Sequence, residues 1–181
     1  DSLKYQAHFN RMPHFEHGKV GLRWCDNCGT LILGPNCDIC SSPGRYFEVS
    51  KPGDIRPCMG ESNTVVASLF DRHFGTSEFL RNRTVFLNKV AGEDRTDEIV
   101  YQGTVIGVLR YDLRSCGFQL DLRLGGARML YPIAKKGVVV MGRDTGHLKG
   151  KTIPGTMIKE IKGDFNPGDP LIVIAGSLVC S

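Results

Sequence analysis

Residues 25–40 read CDNCGTLILGPNCDIC, and the four cysteines follow the spacing C-x2-C-x8-C-x2-C. A Cys-x-x-Cys pair in a tight turn places two sulfurs on one side of the backbone. A second pair, brought alongside by a short hairpin, completes the four ligands that zinc prefers. The residue after the second cysteine is a glycine, which suits such a turn. The spacing therefore predicts a structural zinc site whose ligands are Cys25, Cys28, Cys37 and Cys40.

Other uses of these cysteines stay open at this point. Two disulfides are disfavoured because no apolar secretory segment precedes the motif. A redox-active pair normally stands alone at a helix start, whereas two pairs occur here among turn-forming residues. A single iron or an iron–sulfur cluster accepts the same four thiolates. In any of the metal readings, an all-thiolate shell leaves no open position for water or substrate, so the predicted role is structural.

The composition is that of an ordinary globular protein: 181 residues, 41% hydrophobic and 23% charged. No stretch approaches the ~20 apolar residues of a membrane helix, and free cysteines favour a reducing, cytoplasmic location. The net charge of +4 is mild, but residues 131–163 carry seven basic and two acidic side chains. This basic window permits contact with nucleic acid, although a solvated surface would explain it too.

The pattern along the chain predicts an α+β protein in consecutive modules. Residues 1–20 are interpreted as an extension, of which 1–11 are vector-derived or upstream sequence because Met12 precedes Pro13 like an initiator. The remaining predicted modules are a zinc ribbon at 21–50, a linker at 51–61, a small α+β domain at 62–132 and a small β barrel at 133–181. Because the chain stops inside a strand-like run, the last module is expected to be truncated.

Periodicity predicts the main elements. The ribbon contributes three strands, at 22–24, 31–33 and 46–49. A helix over 65–74 follows, capped by Ser62 or Asn63 and ended by Gly75. The predicted α+β domain adds a strand at 84–88 and a hairpin of 98–101 with 104–110 around Gln102-Gly103. An alternating strand at 118–124 is stopped by Gly125-Gly126, and short strands at 137–141, 157–161 and 171–175 complete the pattern.

No complete active site is present in the sequence. Residues 146–152 end in Gly-Lys-Thr, but the gap between the glycines is one residue shorter than a phosphate loop needs, and Pro154-Gly155 excludes the long helix that must follow. His73 and His147 have no neighbouring serine or cysteine nucleophile motif. The acidic run at 93–98 is interpreted as an exposed loop that opens a strand. The catalytic residues are therefore predicted to be none.

The C-terminal pattern supplies a family resemblance. Residues 137–140 (GVVV), 142–155 (GRDTGHLKGKTIPG), 163–169 (GDFNPGD) and 171–174 (LIVI) together resemble a PUA domain, the pseudobarrel of tRNA- and rRNA-modifying enzymes. Residues 85–90 (VFLNKV), 94–98 (DRTDE) and 105–112 (VIGVLRYD) resemble the domain that precedes PUA in certain archaeal proteins. In those proteins a ribbon like 24–28 (WCDNC) and a connector like 52–57 (PGDIRP) come first, and an ATP-pyrophosphatase domain resembling phosphoadenosine-phosphosulfate reductase comes last.

The resemblance implies a non-catalytic region that binds structured RNA, plausibly tRNA, and presents it to a downstream reductase-like or sulfur-transfer domain of the parent chain. The positions that match the RNA-contacting loop are Gly142, Arg143, Gly146, Lys149, Lys151, Pro154 and Gly155. Cations there would contact phosphates, and the glycines would keep the backbone close to the RNA. The alternative is a protein-interaction scaffold that docks the catalytic domain, for which exposed apolar residues on the 31–33 hairpin would be diagnostic.

Overall fold

A computed structural model describes residues 18–81, 83–91, 95–142, 154–176 and 178–180. Within these ranges the chain is mostly β, with three sheets and two α-helices, which confirms the predicted α+β class. The first sheet is antiparallel, in the order β2-β1-β3. Its strands are β1 (Lys19–Cys25), β2 (Thr30–Ile32) and β3 (Arg45–Ser50).

The second sheet is the centre of the molecule. It is an antiparallel meander whose five strands are ordered as in the sequence. They are β4 (Pro52–Pro57), β5 (Val85–Val90), β6 (Thr96–Tyr101), β7 (Thr104–Asp112) and β8 (Gly117–Leu122). Two helices accompany this sheet, α1 (Glu61–Phe74) and α2 (Leu124–Leu130).

The C-terminal sheet has the order β10-β9-β11-β12, in which β9 and β11 are parallel and the other pairs antiparallel. Its strands are β9 (Val138–Met141), β10 (Ile158–Lys162), β11 (Ile172–Ala175) and β12 (Leu178–Cys180). A short 3-10 helix, Gly155–Met157, immediately precedes β10. These strands lie where the sequence pattern predicts them, while closure into a barrel stays a prediction.

Helix α1 forms because its apolar residues recur on one face. Val66, Leu69, Phe70 and Phe74 are all buried, as their three- and four-residue spacing predicts. Gly75 ends the helix in a left-handed conformation, and its N–H donates to the Asp71 carbonyl at 2.9 Å. The predicted N-terminal cap is wrong, however. The helix begins at Glu61 after Gly60, without any side-chain cap, so Ser62 and Asn63 lie inside its first turn.

The predicted hairpin at Gln102-Gly103 is confirmed. Both residues have positive φ angles, 47° and 64°, which give the turn the twist that antiparallel strands require. Strand β6 therefore ends at Tyr101 and β7 begins at Thr104, with the two residues paired. The turn also has a packing role, because a Cβ added to Gly103 would lie 2.5 Å from the Cβ of Trp24.

The central sheet is covered on both faces. Because side chains alternate along a strand, Leu87 and Ile99 point to one face while Phe86 and Val100 point to the other. On the first face they join α1, α2 and residues of β9 and β11 in one hydrophobic cluster. On the second face Phe86 and Val100 pack against Trp24 and other residues of the three-stranded sheet. The three-stranded sheet and the helices thus sit on opposite sides of the central sheet.

Two local expectations are corrected. Residues 51–61 were predicted as a linker, but they contain β4, which pairs with β5 at the edge of the central sheet. Gly125-Gly126 do not merely stop a strand. They lie in the first turn of α2, where a Cβ on Gly126 would overlap the Ile106 carbonyl oxygen. The other module boundaries stay predictions; the cluster that surrounds α1 includes Val138 and Ile172, from beyond the predicted boundary at residue 132.

Candidate metal centre and basic edge

The structure brings the four predicted cysteines together. One Sγ atom from each of Cys25, Cys28, Cys37 and Cys40 lies within 4.8 Å of the other three, and Sγ of Cys25 is 3.5 Å from Sγ of Cys40. A tetrahedral ion with metal–sulfur bonds of about 2.3 Å would hold its sulfurs about 3.8 Å apart. Cys25 and Cys37 are buried, Cys28 is half-buried and Cys40 is exposed. The four thiols therefore fit one closed, structural metal site.

Two turns of the same design present the sulfurs. After the first cysteine pair, the Gly29 N–H donates to the Cys25 carbonyl at 2.8 Å. After the second pair, the Ser41 N–H donates to the Cys37 carbonyl, also at 2.8 Å. Gly29 and Ser41 both adopt left-handed backbone angles, with φ of 64° and 58°. Each turn thereby directs its two sulfurs to one side, as two knuckles around a shared ion would.

Hydrogen bonds hold the two knuckles in place before any ion is considered. The Asn27 side-chain amide, in the first knuckle, donates to the Ser42 hydroxyl beside the second at 2.8 Å. The Cys37 N–H donates to the Ser42 carbonyl at 2.9 Å, and the Gly44 N–H donates to the Pro35 carbonyl at the same distance. Strand β2 and the return to β3 thus form a loop with the cysteines at one end.

The thiols polarise one another unequally. A hydrogen bond with Cys40, together with the other neighbouring sulfurs, raises the pKa of Cys28 to about 12. The Ser42 hydroxyl and N–H lower the pKa of Cys40 to about 6. Cys40 thus ionises more readily than Cys28 at neutral pH, and a bound cation must displace the Cys28 proton. Metal binding at this site releases protons and weakens as the pH falls.

The three-stranded sheet is fixed to the central sheet by packing, beginning with the residue that precedes Cys25. Trp24 is 2% exposed and meets Phe86 of the central sheet edge-to-face, with ring centroids 5.9 Å apart. The Arg45 guanidinium donates to the carbonyls of Gln102 and Gly103, at 2.7 and 3.2 Å, and pairs with Asp26. These contacts anchor the strands that carry the cysteine loop.

A buried carboxylate adds a second anchor that the sequence did not reveal. Glu98 ends the acidic run that was interpreted as an exposed loop and begins the predicted strand at 98–101, but it is 3% exposed. It accepts hydrogen bonds from the Ser50 N–H and hydroxyl, both at 2.7 Å, and forms an ion pair with Lys19. Asn88 donates to it from β5 at 2.9 Å. The charge-rich composition of residues 93–98 concealed this role, because a local charge pattern carries no information about a distant strand.

The structure describes only some of the predicted RNA-contacting residues. Arg143, Gly146, Lys149 and Lys151 lie outside the described residues. At the ends of the segment that holds them, Gly142 donates its N–H to the Met157 carbonyl at 2.9 Å, and Pro154 and Gly155 begin the 3-10 helix that includes Met157. The two ends of the predicted loop are therefore neighbours at the start of β10.

Basic side chains extend from this junction to the other end of the β9–β10 ladder: Lys159 lies beside Gly142, whereas Lys162 pairs with Val138 at the far end. Lys159 and Lys162 are exposed on β10, the edge strand of the C-terminal sheet. Lys135 and Lys136 follow α2, and their N–H groups donate to the Phe74 carbonyl at 2.9 and 3.4 Å. We call these four lysines the basic edge. Lys136 lies close to the imidazole of His73, whose pKa is lowered first by burial and then by the charges of Arg72 and Lys136, against the opposing effect of Asp169.

Comparison with known proteins gives one relative. The chain is 27% identical to an uncharacterized protein of Methanocaldococcus jannaschii over 163 residues, which cover 87% of this chain and 34% of the relative. The chain therefore spans about a third of that relative's length. No family model matches the sequence, and no solved structure matches it. Among the described residues, none of the helices has the length and apolar character needed to span a bilayer. The comparisons thus place the chain beside an archaeal protein without assigning it to a family.

Proposed function

We propose that this chain is the zinc-binding and RNA-binding region of a longer enzyme that resembles phosphoadenosine-phosphosulfate reductase, and that it presents structured RNA, plausibly tRNA, to the catalytic part. The observation that carries the RNA proposal is the basic edge. Its lysines extend along β10 and the segment after α2, beginning with Lys159 beside the junction where the ends of the PUA-like glycine loop meet, and two of them are exposed on an edge strand. Clustered cations of this kind contact phosphates and position RNA without reading bases.

The C-terminal sheet supports the PUA-like interpretation in part. The sequence that resembles PUA supplies short strands separated by Gly and Pro turns, and the described strands β9 to β12 occur in that order. The three-stranded sheet with its cysteine pairs supports a zinc ribbon. Zinc is the proposed ion because four thiolates and a closed tetrahedral shell suit it best among common metals.

Salt-dependent binding of unfractionated tRNA tests the RNA proposal. The affinity should fall steeply with salt, and the double substitution Lys159→Glu/Lys162→Glu should reduce the slope of log K against log salt by about two, since each lysine is expected to neutralise about one phosphate. Lys149→Glu/Lys151→Glu should act in the same direction. Arg114→Glu, an exposed cation in the β7–β8 turn, is the matched control and should leave the slope unchanged. Equal affinity for all variants would exclude the proposal.

A second candidate function, docking of the missing catalytic part, is favoured by one specific observation. Leu33, next to β2, is 103% exposed, and Ile39 in the second knuckle is 77% exposed. A metal ion bound by the cysteines would fix the loop that carries these two side chains. Exposed apolar side chains on a rigid loop are typical of a small contact surface.

This alternative predicts that the remaining part of the parent protein, supplied as a separate chain, binds the metal-loaded 181-residue chain without RNA. Leu33→Asp/Ile39→Asp should weaken that binding at least tenfold, a typical effect for central apolar contacts. Leu113→Asp, on an equally exposed leucine elsewhere, should have no effect. Unchanged binding in the double variant would remove the surface from consideration.

A further inference from the structure

A cleft of about 460 Å3 opens on the central sheet beside the first turn of α1. Small-molecule sites commonly have volumes of about 300–1,000 Å3, so the cleft is large enough for a compact ligand. It lies on the face that carries α1, because its strand residues share the register of Leu87 and Leu109, both buried. Helices α1 and α2 both pack on this face, and the cleft lies beside the start of α1, with Ser62 on its wall.

Cations line one side of the cleft. Arg56 on β4 forms an ion pair with Asp97 on β6, with 2.8 Å between Nη2 and Oδ1, so its guanidinium is held at the wall. Lys89 on β5 is exposed and forms no ion pair with a carboxylate among residues 18–81, 83–91 and 95–142. This side of the described lining therefore carries two cations against one carboxylate. This side of the cleft favours an anionic group.

Aromatic rings line the other side. Tyr111 on β7 and Phe118 on β8 are cross-strand partners whose rings meet edge-to-face, with centroids 5.1 Å apart. The Arg95 guanidinium lies 4.8 Å from the Tyr111 ring centroid. Both rings are half-buried, so part of their surface faces the cleft. A flat apolar body would find ring edges and the buried leucines here, as bases do on aromatic platforms.

The separation of the two sides sets the size of the ligand. Lys89 and Tyr111 are on β5 and β7, two strand spacings apart, which is about 10 Å across the sheet. The first turn of α1 lies beside the cations, and its N–H groups have no side-chain cap, although Glu61 is the acidic residue of that turn. A phosphate near Lys89 and a ring near Tyr111 would together span the cleft.

We propose that this cleft binds a nucleoside monophosphate, either free or as one nucleotide unit of RNA, with the phosphate toward Arg56 and Lys89 and the base toward Tyr111 and Phe118. The inference stands apart from the basic edge. The two surfaces use different elements, β4 to β8 here, and β10 with the segment between α2 and β9 there. One can therefore fail while the other holds.

Calorimetric titration of the metal-loaded 181-residue chain with AMP tests the proposal. AMP should bind, with adenosine and inorganic phosphate each at least tenfold weaker because each satisfies one side only. Lys89→Glu should weaken AMP binding at least tenfold, and Tyr111→Leu, which keeps the apolar volume, should weaken it severalfold. Lys162→Glu on the basic edge is the matched control and should leave AMP binding unchanged.

The outcomes separate the sources of the ligand and the ways in which the idea fails. Displacement of AMP by a single-stranded RNA hexamer, with loss of this displacement in Lys89→Glu, would assign the cleft to a nucleotide unit of RNA. AMP binding without displacement would assign it to a free nucleotide. Absence of AMP binding, or equal AMP affinity in the wild type and Lys89→Glu, would overturn the proposal. Failure of tRNA binding in the basic-edge variants alone would count only against the RNA proposal above.

Discussion

The docked strands β1 and β3 and the cysteine loop, residues 25–42, are held in different ways. On the docked strands, Trp24 and its neighbours are buried against the central sheet, and Arg45 and Glu98 add polar contacts. In the cysteine loop, the apolar cluster of described residues consists of Ile32 and cysteines, while Leu33 and Ile39 are exposed. Hydrophobic burial thus stabilises the docked strands, and sulfur ligands must stabilise the cysteine loop. Loss of the metal should therefore disorder the knuckles without unfolding the sheet beneath them.

The largest expected effect is the removal of one metal ligand. Cys37→Ser should reduce bound zinc from about one ion per chain to almost none, because a structural site requires all four ligands and its binding energy is large, about 10–16 kcal/mol in small zinc domains. Elemental analysis measures the content. Hydrogen exchange should show faster exchange of knuckle amides such as Gly29 and Ser41, while β6 stays protected. Cys116→Ser, which changes an exposed cysteine outside the cluster, is the control.

A result that breaks the comparison would be global unfolding of the Cys37→Ser chain. In that case the metal would stabilise the central sheet as well, and the cysteine loop and the docked strands could not be regarded as independent. Metal content equal to that of the wild type would instead show that the cluster is not the metal site.

The second prediction concerns the packing of β1 and β3 on the central sheet. Trp24→Ala should lower the free energy of unfolding by about 3–5 kcal/mol, because it removes a fully buried indole from between the two sheets. Urea denaturation measures the change. Leu33→Ala removes an exposed side chain and should stay within about 0.5 kcal/mol. Similar effects of the two substitutions would mean that the three-stranded sheet is not packed on the central sheet as described.

The third prediction tests the buried carboxylate. Burial acts to raise the pKa of Glu98, but hydrogen bonds from Ser50 and the Lys19 charge outweigh it, so the pKa is lowered overall. A lowered folded-state pKa stabilises the fold above the ordinary Glu pKa of about 4.3, and this contribution is lost as the pH falls through the folded value. Glu98→Gln should therefore cost about 1.5–3 kcal/mol at neutral pH and progressively less in acid.

Urea denaturation of the wild type and Glu98→Gln over a range of pH measures this convergence. Asp121→Asn is the control, because its ion pair with Arg110 is half-exposed on both sides and should contribute at most about 1 kcal/mol. A Glu98→Gln cost that does not change with pH would show that the carboxylate charge has no part in joining the sheets.

The smallest expected effects compare the two knuckles directly. Gly29 and Ser41 occupy equivalent left-handed positions, and only glycine adopts that conformation without strain. Gly29→Ser should weaken the site by about 1 kcal/mol, and Ser41→Gly should strengthen it by a similar amount. The nearest atom to a Cβ on Gly29 is 3.5 Å away, so backbone strain alone is tested. Competition with a chromophoric chelator measures both. Changes of the same sign would show that the knuckles are not equivalent.

Elements with strong local patterns were predictable. Helix α1 follows from one apolar face and a terminal glycine, and the β6–β7 hairpin follows from its two-residue turn. Strand β4 was missed because Pro52, Gly53 and Pro57 were interpreted as breaks. Proline is tolerated there because β4 is an edge strand of the central sheet and pairs with one neighbour only, β5. An edge position is decided by the whole sheet, so the local sequence does not show it.

The sequence by itself determined the sulfur site, since two Cys-x-x-Cys turns and a short hairpin are sufficient to bring four thiols together. Only the tertiary structure decided where that site is anchored. Burial of Trp24 and Glu98 depends on strands that are distant in the chain: Ser50 and Lys19, which bind Glu98, are 48 and 79 residues away from it. The cleft beside α1 is likewise a product of register, because its lining residues come from five strands. The spacing of the cysteines along the chain is sufficient to define the four ligands, whereas the anchoring contacts and the cleft depend on how distant strands pair.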